Sequence, residues 1–447
     1  MEIKNNNHFP QQKIEKILRA AMQTDYYKKL FEHNNLSIED IRTPEEFSRI
    51  PITTKMDYRY HAWSMINHSI IDQLDMEFIN RNKANYKLID SHLEKYGLNL
   101  TITSGSTGTP LDVIRSANDN HRNYFALNRY RLRQKGFSPI EPYIWFLPMN
   151  SMTKSYFYES STNYIKTHNG FDYFITDYHD KELYKVYEFI NKEKIQWATG
   201  SPTCLYEYAM FIKRHGLGQN FTYIELHSEP LLEWQKAIIK STFGVEPVCV
   251  YSSNEVLFIA ATCEYGHYHV LDDNVYLELV KLEGLGTQSK KVLLTSLNSF
   301  DCPVVRYDIG DIAKFSDVPC SCGKSSILLT GYRDSDLIYI EDHIFEPYII
   351  YDSIYFIEKE FDIKVDYYWV EQVSSLCFIY TFCASVSWLN LENVICQYLK
   401  SFLCSSFGIN VKIEITFCNE TTLRSEFMRR KYRRFTSLKK TEKRINI

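Results

Sequence analysis

The stretch Leu100-Thr101-Ile102-Thr103-Ser104-Gly105-Ser106-Thr107-Gly108-Thr109-Pro110-Leu111 passes from an apolar and polar alternation into a run of small residues that a proline ends. Its glycines allow positive φ angles and a close approach of the backbone to a ligand. Successive N–H groups in such a turn form an anion-binding nest, and the hydroxyls of Ser104, Ser106 and Thr107 add donors. Because the segment 112–114 continues as a strand pattern, the stretch predicts a phosphate-binding hairpin. A hydroxyl-rich surface turn is the open alternative.

The composition is that of a globular protein that is long enough for two or three domains. Apolar residues make up 45% and charged residues 24% of the 447 residues. The net charge of −4 gives no general attraction to nucleic acid or to a membrane surface. We therefore expect no nucleic-acid partner.

The sequence favours a cytoplasmic protein without a membrane span. The first five residues lack the apolar core of a secretory signal. The uncharged window 372–391 contains polar, β-branched and aromatic residues that favour buried strands over a membrane helix. The eleven cysteines are therefore expected to be thiols or metal ligands rather than disulfides.

Helical and strand patterns alternate downstream of the small-residue loop. Helices are predicted at 119–134, 181–192, 202–214 and 231–242, and strands at 143–147, 195–200, 223–226 and 248–251. This alternation predicts a layered α/β body with a largely parallel sheet. Ahead of it, the amphipathic pattern over 12–33 predicts one long helix.

The pattern changes twice further along the chain. Short alternating runs over 268–315 predict a β-rich lobe, and strands and helices mix beyond 331. We therefore predict an α/β protein whose large N-terminal domain, residues 1–331, includes the β-rich lobe. Residues 332–447 are predicted to form a small α+β C-terminal domain.

Tyr251-Ser252-Ser253-Asn254-Glu255 follows a predicted strand directly. Ligands bind at the carboxyl ends of strands in α/β sheets. A glutamate there can hold Mg²⁺, which accepts one or two carboxylates beside water and phosphate oxygens, and the tyrosine ring can stack on a nucleobase. The alternative is a surface glutamate at the start of a helix.

Two further stretches contain charged residues suited to a nucleotide. In 303–311, a buried strand precedes a tight turn in which Asp311 can accept both hydroxyls of a ribose, although such a turn is also ordinary hairpin chemistry. In 331–338, Arg333 is a rigid cationic fork suited to phosphate or ribose. Its alternative is a weak surface ion pair with Asp334 or Asp336.

In this order, the four stretches resemble the adenylate-forming superfamily of acyl/aryl-CoA ligases. The best match is the phenylacetate-CoA ligase-like branch, including its members associated with capsule biosynthesis. The segments 25–31, 50–55, 199–202 and 228–231 also resemble that branch, so the resemblance covers essentially the whole chain. It implies an N-terminal domain that binds ATP and an acid, and a C-terminal domain that closes over the nucleotide as a mobile lid.

The resemblance implies a role for each motif. Residues 103–108 would bind the β- and γ-phosphates of ATP, and Tyr251 would lie against adenine. Glu255 would hold Mg²⁺, Asp311 would bind the ribose, and Arg333 would contact the nucleotide near the domain junction.

The segment 430–435, Arg-Lys-Tyr-Arg-Arg-Phe, resembles the family pattern that contains the lid lysine. Lys431 is therefore the candidate catalytic lysine, together with Glu255. The predicted reaction is ATP-dependent activation of a small carboxylic acid to an acyl-adenylate with release of pyrophosphate, followed by acyl transfer to a thiol, with coenzyme A as the leading acceptor. Amide formation on an amine or amino sugar, in polysaccharide or secondary metabolism, and a non-catalytic nucleotide-binding scaffold are the alternatives. A homodimer is left open.

A second group of residues has the chemistry of a metal site. Cys320 and Cys322 form a short knuckle before a glycine, and Cys263 and His269 lie upstream. Such a set can complete a tetrahedral Cys₃His zinc site, and some members of the branch contain a structural metal of this kind. Free thiols in a turn are the open alternative.

The chain departs from the family pattern at three places. Ser252 stands where the family has glycine, and Ser335-Asp336 replaces a pair of aspartates. Glu341-Asp342-His343 replaces a glycine-containing turn that meets the thiol acceptor, so adenylation is better supported than the use of coenzyme A. Aromatic residues favour an aryl or apolar acid: Tyr143, Trp145, Phe146 and Trp197.

Overall fold

The computed structural model describes residues 9–82, 85–102, 111–134, 137–148, 163–282, 284–285, 289–363, 365, 368–383, 391–419 and 435–438. The predicted phosphate loop, 103–108, and Lys431 lie outside these residues.

The N-terminal segment is helical. Its α-helices are α1 Gln11–Ala21, α2 Asp25–His33, α3 Pro44–Phe47, α4 Lys55–His61, α5 His68–Ile71, α6 Met76–Arg81 and α7 Tyr86–Leu93, with 3₁₀ turns at Ile38–Asp40, Ala62–Met65 and Glu94–Tyr96. The prediction of one helix over 12–33 is wrong. Thr24 takes an extended conformation (φ −122°, ψ 146°), and its side chain accepts a hydrogen bond from the backbone N–H of Tyr27. It therefore starts a second helix as an N-cap.

A β-hairpin brackets the predicted phosphate loop. Strand β1, Leu98–Ile102, pairs antiparallel with β2, Asp112–Ser116, so that Ile102 lies opposite Asp112. Helix α8, Ala117–Arg131, follows at once and is capped by the side chain of Ser116. The predicted strands on both sides of 103–110 are thus present.

One large mixed sheet forms the body. Its strands are β3 Tyr143–Pro148, β4 Tyr164–Lys166, β5 Gly170–Ile175, β6 Trp197–Gly200, β7 Tyr223–Leu226, β8 Val248–Ser253, β9 Leu257–Thr262, β10 Tyr268–Val270, β11 Val275–Lys281, β12 Lys290–Ser296, β13 Tyr307–Phe315 and β14 Ile327–Arg333. Their spatial order is β11-β12-β13-β14-β10-β9-β8-β7-β6-β3-β5-β4. Strands β5, β3, β6, β7 and β8 are parallel, as predicted, whereas the β-rich section continues the same sheet antiparallel.

Helices cover both faces of the parallel section. Helices α9 Asp180–Lys192, α10 Pro202–Arg214 and α11 Glu233–Phe243 pack on one face, where Ile144, Phe146 and Ile224 join their core. On the other face, Trp197 and Tyr223 pack with Leu127 of α8. The sheet is therefore the middle layer of a three-layer body.

The C-terminal segment forms a separate small sheet. Its elements are a 3₁₀ turn Asp334–Asp336, β15 Ile338–Ile340, β16 His343–Phe345, α12 Tyr348–Phe361, β17 Tyr368–Ser374, β18 Cys377–Cys383, α13 Glu392–Phe407, β19 Lys412–Cys418 and β20 Phe435–Thr436. The sheet order is β19-β18-β17-β20, and the two helices share its own hydrophobic core. Among the helices of the described residues, none is long and apolar enough to cross a lipid bilayer.

Candidate active site

Asp311 and Arg333 meet in the antiparallel section of the large sheet. They are direct cross-strand partners on β13 and β14, and the Nε of Arg333 donates to Oδ1 of Asp311 at 2.6 Å. Asp336 instead accepts the backbone N–H of Arg333 at 3.0 Å. The half-buried Arg333 thus forms an ion pair with a residue 22 positions away in the chain.

Tyr251 completes the contacts of this carboxylate. Its hydroxyl donates to Oδ2 of Asp311 at 2.7 Å, and burial, followed by the charge of Asp311, raises the pKa of the phenol. Tyr251 lies at a bulge in the β8–β9 ladder, where the register shifts between Tyr251 and Ser252. Ser252 therefore occupies a bulge.

Glu255 is a buried carboxylate, only 7% exposed. The hydroxyl of Tyr307 donates to its Oε1 at 2.8 Å. Strand β9 begins two residues later, so the alternative of a surface glutamate that starts a helix is wrong.

The predicted nucleotide residues lie close enough to interact through their charges. The carboxylates of Asp311 and Glu255 and the phenol of Tyr251 all act to raise the pKa of Arg333 against the opposing effect of burial. Four residues that the sequence spreads from 251 to 333 thus come together, whereas 103–108 and Lys431 lie outside the described residues.

The prediction of a tight turn over 308–311 is wrong, because these residues belong to β13. Gly310 keeps the strand irregular with a φ of +79°, which favours glycine. A Cβ at this position would lie 3.3 Å from Oδ1 of Asp334 and 3.8 Å from Nζ of Lys55. The strand therefore passes close to two charged side chains that belong to the same site.

Lys55 is a site residue that the sequence analysis did not single out. It starts helix α4, whose N-cap Thr54 exchanges hydrogen bonds with Asp57. Burial, followed by the charge of Arg333, lowers the pKa of its ammonium, while Glu255, Asp311 and Asp334 act in the opposite direction. The ammonium therefore lies among the site carboxylates. The only signal in the sequence is its place in the segment 50–55, whose resemblance to the phenylacetate-CoA ligase-like branch implies no particular role for the lysine.

The N-terminal segment is held against β13 by backbone bonds. Thr53 donates its N–H to the carbonyl of Arg306 at 3.1 Å, and Asp308 donates its N–H to the carbonyl of Thr53 at 2.9 Å. These bonds place Lys55 beside the sheet, a contact over some 250 residues of chain that no local pattern shows.

Arg115 is a second residue that the sequence analysis missed. From β2 it donates through Nη2 to the hydroxyl of Thr101 at 3.3 Å, and through Nη1 to the carbonyl of Asn254. Because Asn254 precedes Glu255, this guanidinium ties the hairpin around 103–110 to the carboxylate site. An arginine at the end of a short strand was the only signal in the sequence.

The four metal-ligand candidates also come together. The ligand atoms of Cys263, His269, Cys320 and Cys322 all lie within 4.8 Å of one another. The Sγ atoms of Cys263 and Cys320 are 3.6 Å apart, too far for a disulfide and close to the separation of about 3.8 Å between two sulfurs on one tetrahedral zinc.

The orientation of His269 suits a metal ligand. Its Nδ1 lies 2.7 Å from the carbonyl oxygen of Ser325, so Nδ1 is the protonated nitrogen, and Nε2 faces Cys322 Sγ at 3.2 Å. A backbone carbonyl that fixes the tautomer in this way is the usual outer partner of a metal-bound histidine. The donor set therefore fits a tetrahedral Cys₃His centre.

Solved structures of a CoA ligase share this architecture. A crystal structure of 2-hydroxyisobutyryl-CoA ligase in an open conformation, in complex with 2-HIB-AMP and CoA, matches with a TM-score of 0.59 and 13% identity over 92% of this chain and 87% of that chain. The same ligase in the postadenylation state matches with a TM-score of 0.60 and 13% identity over 98% and 90%. The predicted fold class is thus confirmed, and the predicted resemblance to adenylate-forming ligases is confirmed at the level of the fold.

A sequence relative gives a shorter match. Indoleacetate–lysine synthetase of Pseudomonas savastanoi is 28% identical over 135 residues, which are 29% of this chain and 32% of that protein. The match therefore spans about a third of the length of that relative. No protein-family model matches the chain.

Proposed function

We propose that this protein is an AMP-forming ligase that uses ATP to activate a small carboxylic acid as an acyl-adenylate and then transfers the acyl group. The observation that supports this proposal best is the convergence of Tyr251, Glu255, Asp311 and Arg333 at one place. The fold agrees with it, because both matched ligase structures contain an acyl-adenylate.

In the proposed first step, a carboxylate oxygen of the acid attacks the α-phosphorus of ATP, and the bond to pyrophosphate breaks. Negative charge builds on the phosphate oxygens, so catalysis consists of positioning and electrostatic stabilisation. Asp311, fixed between Arg333 and Tyr251, would accept the ribose hydroxyls. Arg333 and Lys55 would supply positive charge, and Tyr251 would support the adenine.

Glu255 would hold Mg²⁺, which neutralises phosphate charge when it is bound. The hydrogen bond from Tyr307 to Oε1 would orient the carboxylate that holds the cation. Removal of this carboxylate by Glu255→Gln should raise the Mg²⁺ concentration needed for half-maximal activity, without loss of folding.

The predicted phosphate loop, 103–108, and the lid lysine, Lys431, complete the proposal. The segment 332–447 would act as the mobile lid that brings Lys431 to the adenylation centre. Lys431→Ala should slow adenylate formation by orders of magnitude and leave ATP binding intact. Near-normal adenylation by this variant would reject the assignment.

Coenzyme A is the proposed acceptor, in line with the acyl-CoA ligases of the same fold. Amide formation on an amine is the second candidate, and the partial relative named for a lysine ligation favours it. Membership of the phenylacetate-CoA ligase-like branch and a place in polysaccharide biosynthesis stay proposals of the same kind. A non-catalytic scaffold would not need the full set of charged residues at one site.

The test is ATP–pyrophosphate exchange over a panel of aryl, fatty and amino acids, followed by addition of coenzyme A or amines. Exchange that depends on an acid is the expected result, and the acceptor that consumes the adenylate identifies the second step. ATP binding without exchange for any acid would favour the scaffold. Cytoplasmic location and homodimer formation stay predictions, to be tested by fractionation and by light scattering.

We also propose a structural Zn²⁺ held by Cys263, His269, Cys320 and Cys322. A tetrahedral centre with four protein ligands has no open position for a substrate, so its contribution would be to stability. It would join the turn after β9, strand β10 and the loop before β14.

A further inference from the structure

Three polar side chains form a row across the parallel section of the large sheet. Asp172 on β5 lies beside Trp145 on β3, and Trp145 lies beside Thr199 on β6. Register partners in neighbouring parallel strands point to the same face, at a strand spacing of about 4.8 Å. We call Asp172, Trp145 and Thr199 the polar row.

Each member of the polar row has a buried polar atom without a hydrogen-bond partner in the described structure. The atoms are Oδ1 of Asp172, Nε1 of Trp145 and Oγ1 of Thr199. Buried polar atoms are nearly always paired, and each exception needs an explanation. Three exceptions on adjacent strands indicate that a polar partner is missing along this face of the sheet.

The next strand shows that the row is not simply a poorly paired part of the sheet. Glu225 on β7 is the register partner of Thr199. Its carboxylate accepts from Nε and Nη2 of Arg131 on α8, at 2.8 and 2.6 Å. The register position next to the polar row, Glu225 on β7, is thus paired, whereas each member of the polar row has an unpaired atom.

The polar row also lies near the carboxyl ends of the parallel strands. The ring of Trp145 lies edge-on to His227, with centroids 5.4 Å apart, and His227 directly follows β7. Ser228 then takes a left-handed φ of +74°, a conformation that costs a non-glycine residue free energy and concentrates at functional sites. The carboxyl ends of parallel strands are where ligands bind in such sheets.

Tyr124 of α8 lies within electrostatic range of residues on both sides. Partial burial raises the pKa of its phenol, although the residue is 39% exposed, and Arg131, the phenol of Tyr143 and Arg115 also act on it. Tyr124 therefore stands between the face with the polar row and the hairpin arginine beside Glu255. An acid with its carboxyl group at the nucleotide could extend over this face.

We propose that the polar row is the binding site for the far end of the acid, and that this end bears a neutral polar group with both a hydrogen-bond donor and an acceptor, such as a hydroxyl or a primary amide. The inference rests on the proposed function. The indole N–H of Trp145 needs an acceptor, the carboxylate of Asp172 needs a donor, and Thr199 can pair with either. An ammonium group has no acceptor for the indole, and a plain aryl or alkyl end satisfies none of the three.

This inference changes the expectation of an apolar acid. Phe146 belongs to the core on the opposite face, and Trp197 packs under α8, so neither is an aromatic wall for the acid in the way the composition indicated. Burial raises the pKa of Asp172 to about 6, which leaves it mostly ionised and an acceptor at neutral pH.

The test is ATP–pyrophosphate exchange with acids paired by size: 4-methylphenylacetate with 4-hydroxyphenylacetate, heptanoate with 6-hydroxyhexanoate, and 6-methylheptanoate with adipamate. The polar member of at least one pair is expected to have kcat/KM at least about tenfold higher. Asp172→Asn and Thr199→Val should remove most of that preference, with the apolar partner and the KM for ATP changed less than about threefold. Asp177→Asn, an exposed aspartate two residues after β5, is the matched control.

Thermal melting of the acid-free protein gives a second measurement. Thr199→Val removes an unpaired polar atom, so its Tm should equal or exceed that of the wild type, whereas a clear fall would show that the row is structural and overturn the inference. Exchange with equal efficiency for the polar and apolar acids would overturn it as well and leave the proposed function intact. Absence of exchange with every acid would reject the proposed function, and the inference with it.

Discussion

Asp311 and Arg333 are register partners on adjacent antiparallel strands, and their 2.6 Å ion pair fixes the carboxylate from one side while Tyr251 fixes it from the other at 2.7 Å. The position of this carboxylate is therefore set by two backbone ladders and not by a loop. Such an arrangement holds a group in place before the ligand arrives, so little ordering is left for binding.

The first prediction concerns the guanidinium of this pair. Arg333→Lys keeps the charge but loses the Nε donor and the planar fork, so the dissociation constant for ATP should rise about 10- to 100-fold. Isothermal titration with ATP and Mg²⁺ measures this without knowledge of the acid. The exposed Arg19, which pairs with Glu15 at 2.8 Å, is the matched control as Arg19→Lys. Unchanged ATP affinity for Arg333→Lys would contradict the assignment.

The second prediction concerns the lysine that the sequence analysis missed. Lys55→Met keeps the length of the side chain and removes the charge that lies among Glu255, Asp311 and Asp334. We expect ATP binding at least about tenfold weaker, because an attraction to the phosphates is lost in a partly buried site. Lys192→Met, at an exposed position beside Glu193, should bind ATP like the wild type. Equal affinity in the two variants would remove Lys55 from the site.

Local sequence patterns predicted helices and strands well where one helical or strand periodicity runs through the whole element. Helix Pro202–Arg214 and strand Tyr223–Leu226 have the predicted bounds, because a proline start and a short segment with an aromatic and a β-branched residue are local signals. The prediction of one helix over 12–33 was wrong because Thr24 starts a second helix as its N-cap. The apolar pattern continues across this break and does not reveal it.

The site was only partly accessible to the same reasoning. Tyr251, Glu255 and Asp311 lie at or after the ends of predicted strands, so the sequence could indicate them as candidate site residues. The bond of Thr53 that helps to place Lys55 and the bond of Arg115 to Asn254 reach partners 252 and 139 residues away, and only the tertiary fold determines those. Only the tertiary fold likewise determines whether the indole N–H of Trp145 has a hydrogen-bond partner.

The third prediction concerns the metal centre. Protein purified without added metal should contain about one zinc per chain by mass spectrometry of the metal. Cys320→Ser and His269→Ala should lose it and melt at lower temperature, because metal binding stabilises only the folded chain. Cys377→Ser, which replaces a partly exposed thiol on β18, should keep the zinc. Wild-type protein free of zinc would reject the site.

The fourth prediction concerns the ion pair between Arg306 and Glu278, whose side chains are 2% and 1% exposed. Arg306 also donates to the carbonyl of Ser48 at 2.6 Å, which ties the segment before Lys55 to the sheet. Glu278→Gln leaves a buried guanidinium without its counter-charge, so the free energy of unfolding should fall by about 3–5 kcal/mol. Urea denaturation measures it.

A double replacement serves as the control for this pair. Glu278→Leu combined with Arg306→Met removes both charges and should recover a good part of the lost stability, since an apolar pair of similar volume is often neutral. The double variant is compared with Glu278→Leu and Arg306→Met measured separately. If its loss of unfolding free energy equals the sum of those two losses, the broken ion pair is not the cause of the instability of Glu278→Gln.

The fifth prediction concerns the pH dependence of stability at Asp172. Burial raises its pKa from 3.8 to about 6, so between these values the folded chain binds more protons than the unfolded chain. Stability contributed by this group is therefore present below about pH 4 and lost as the pH rises to about 6. Relative to Asp172→Asn, the wild type should lose about 1–3 kcal/mol of unfolding free energy over that interval. Urea denaturation at pH 4.5, 5.5 and 6.5 measures the difference, and Asp177→Asn, at an exposed site, should run parallel to the wild type. Parallel profiles for Asp172→Asn would show that burial does not raise the pKa of this carboxyl group, and would remove one of the three atoms on which the polar row depends.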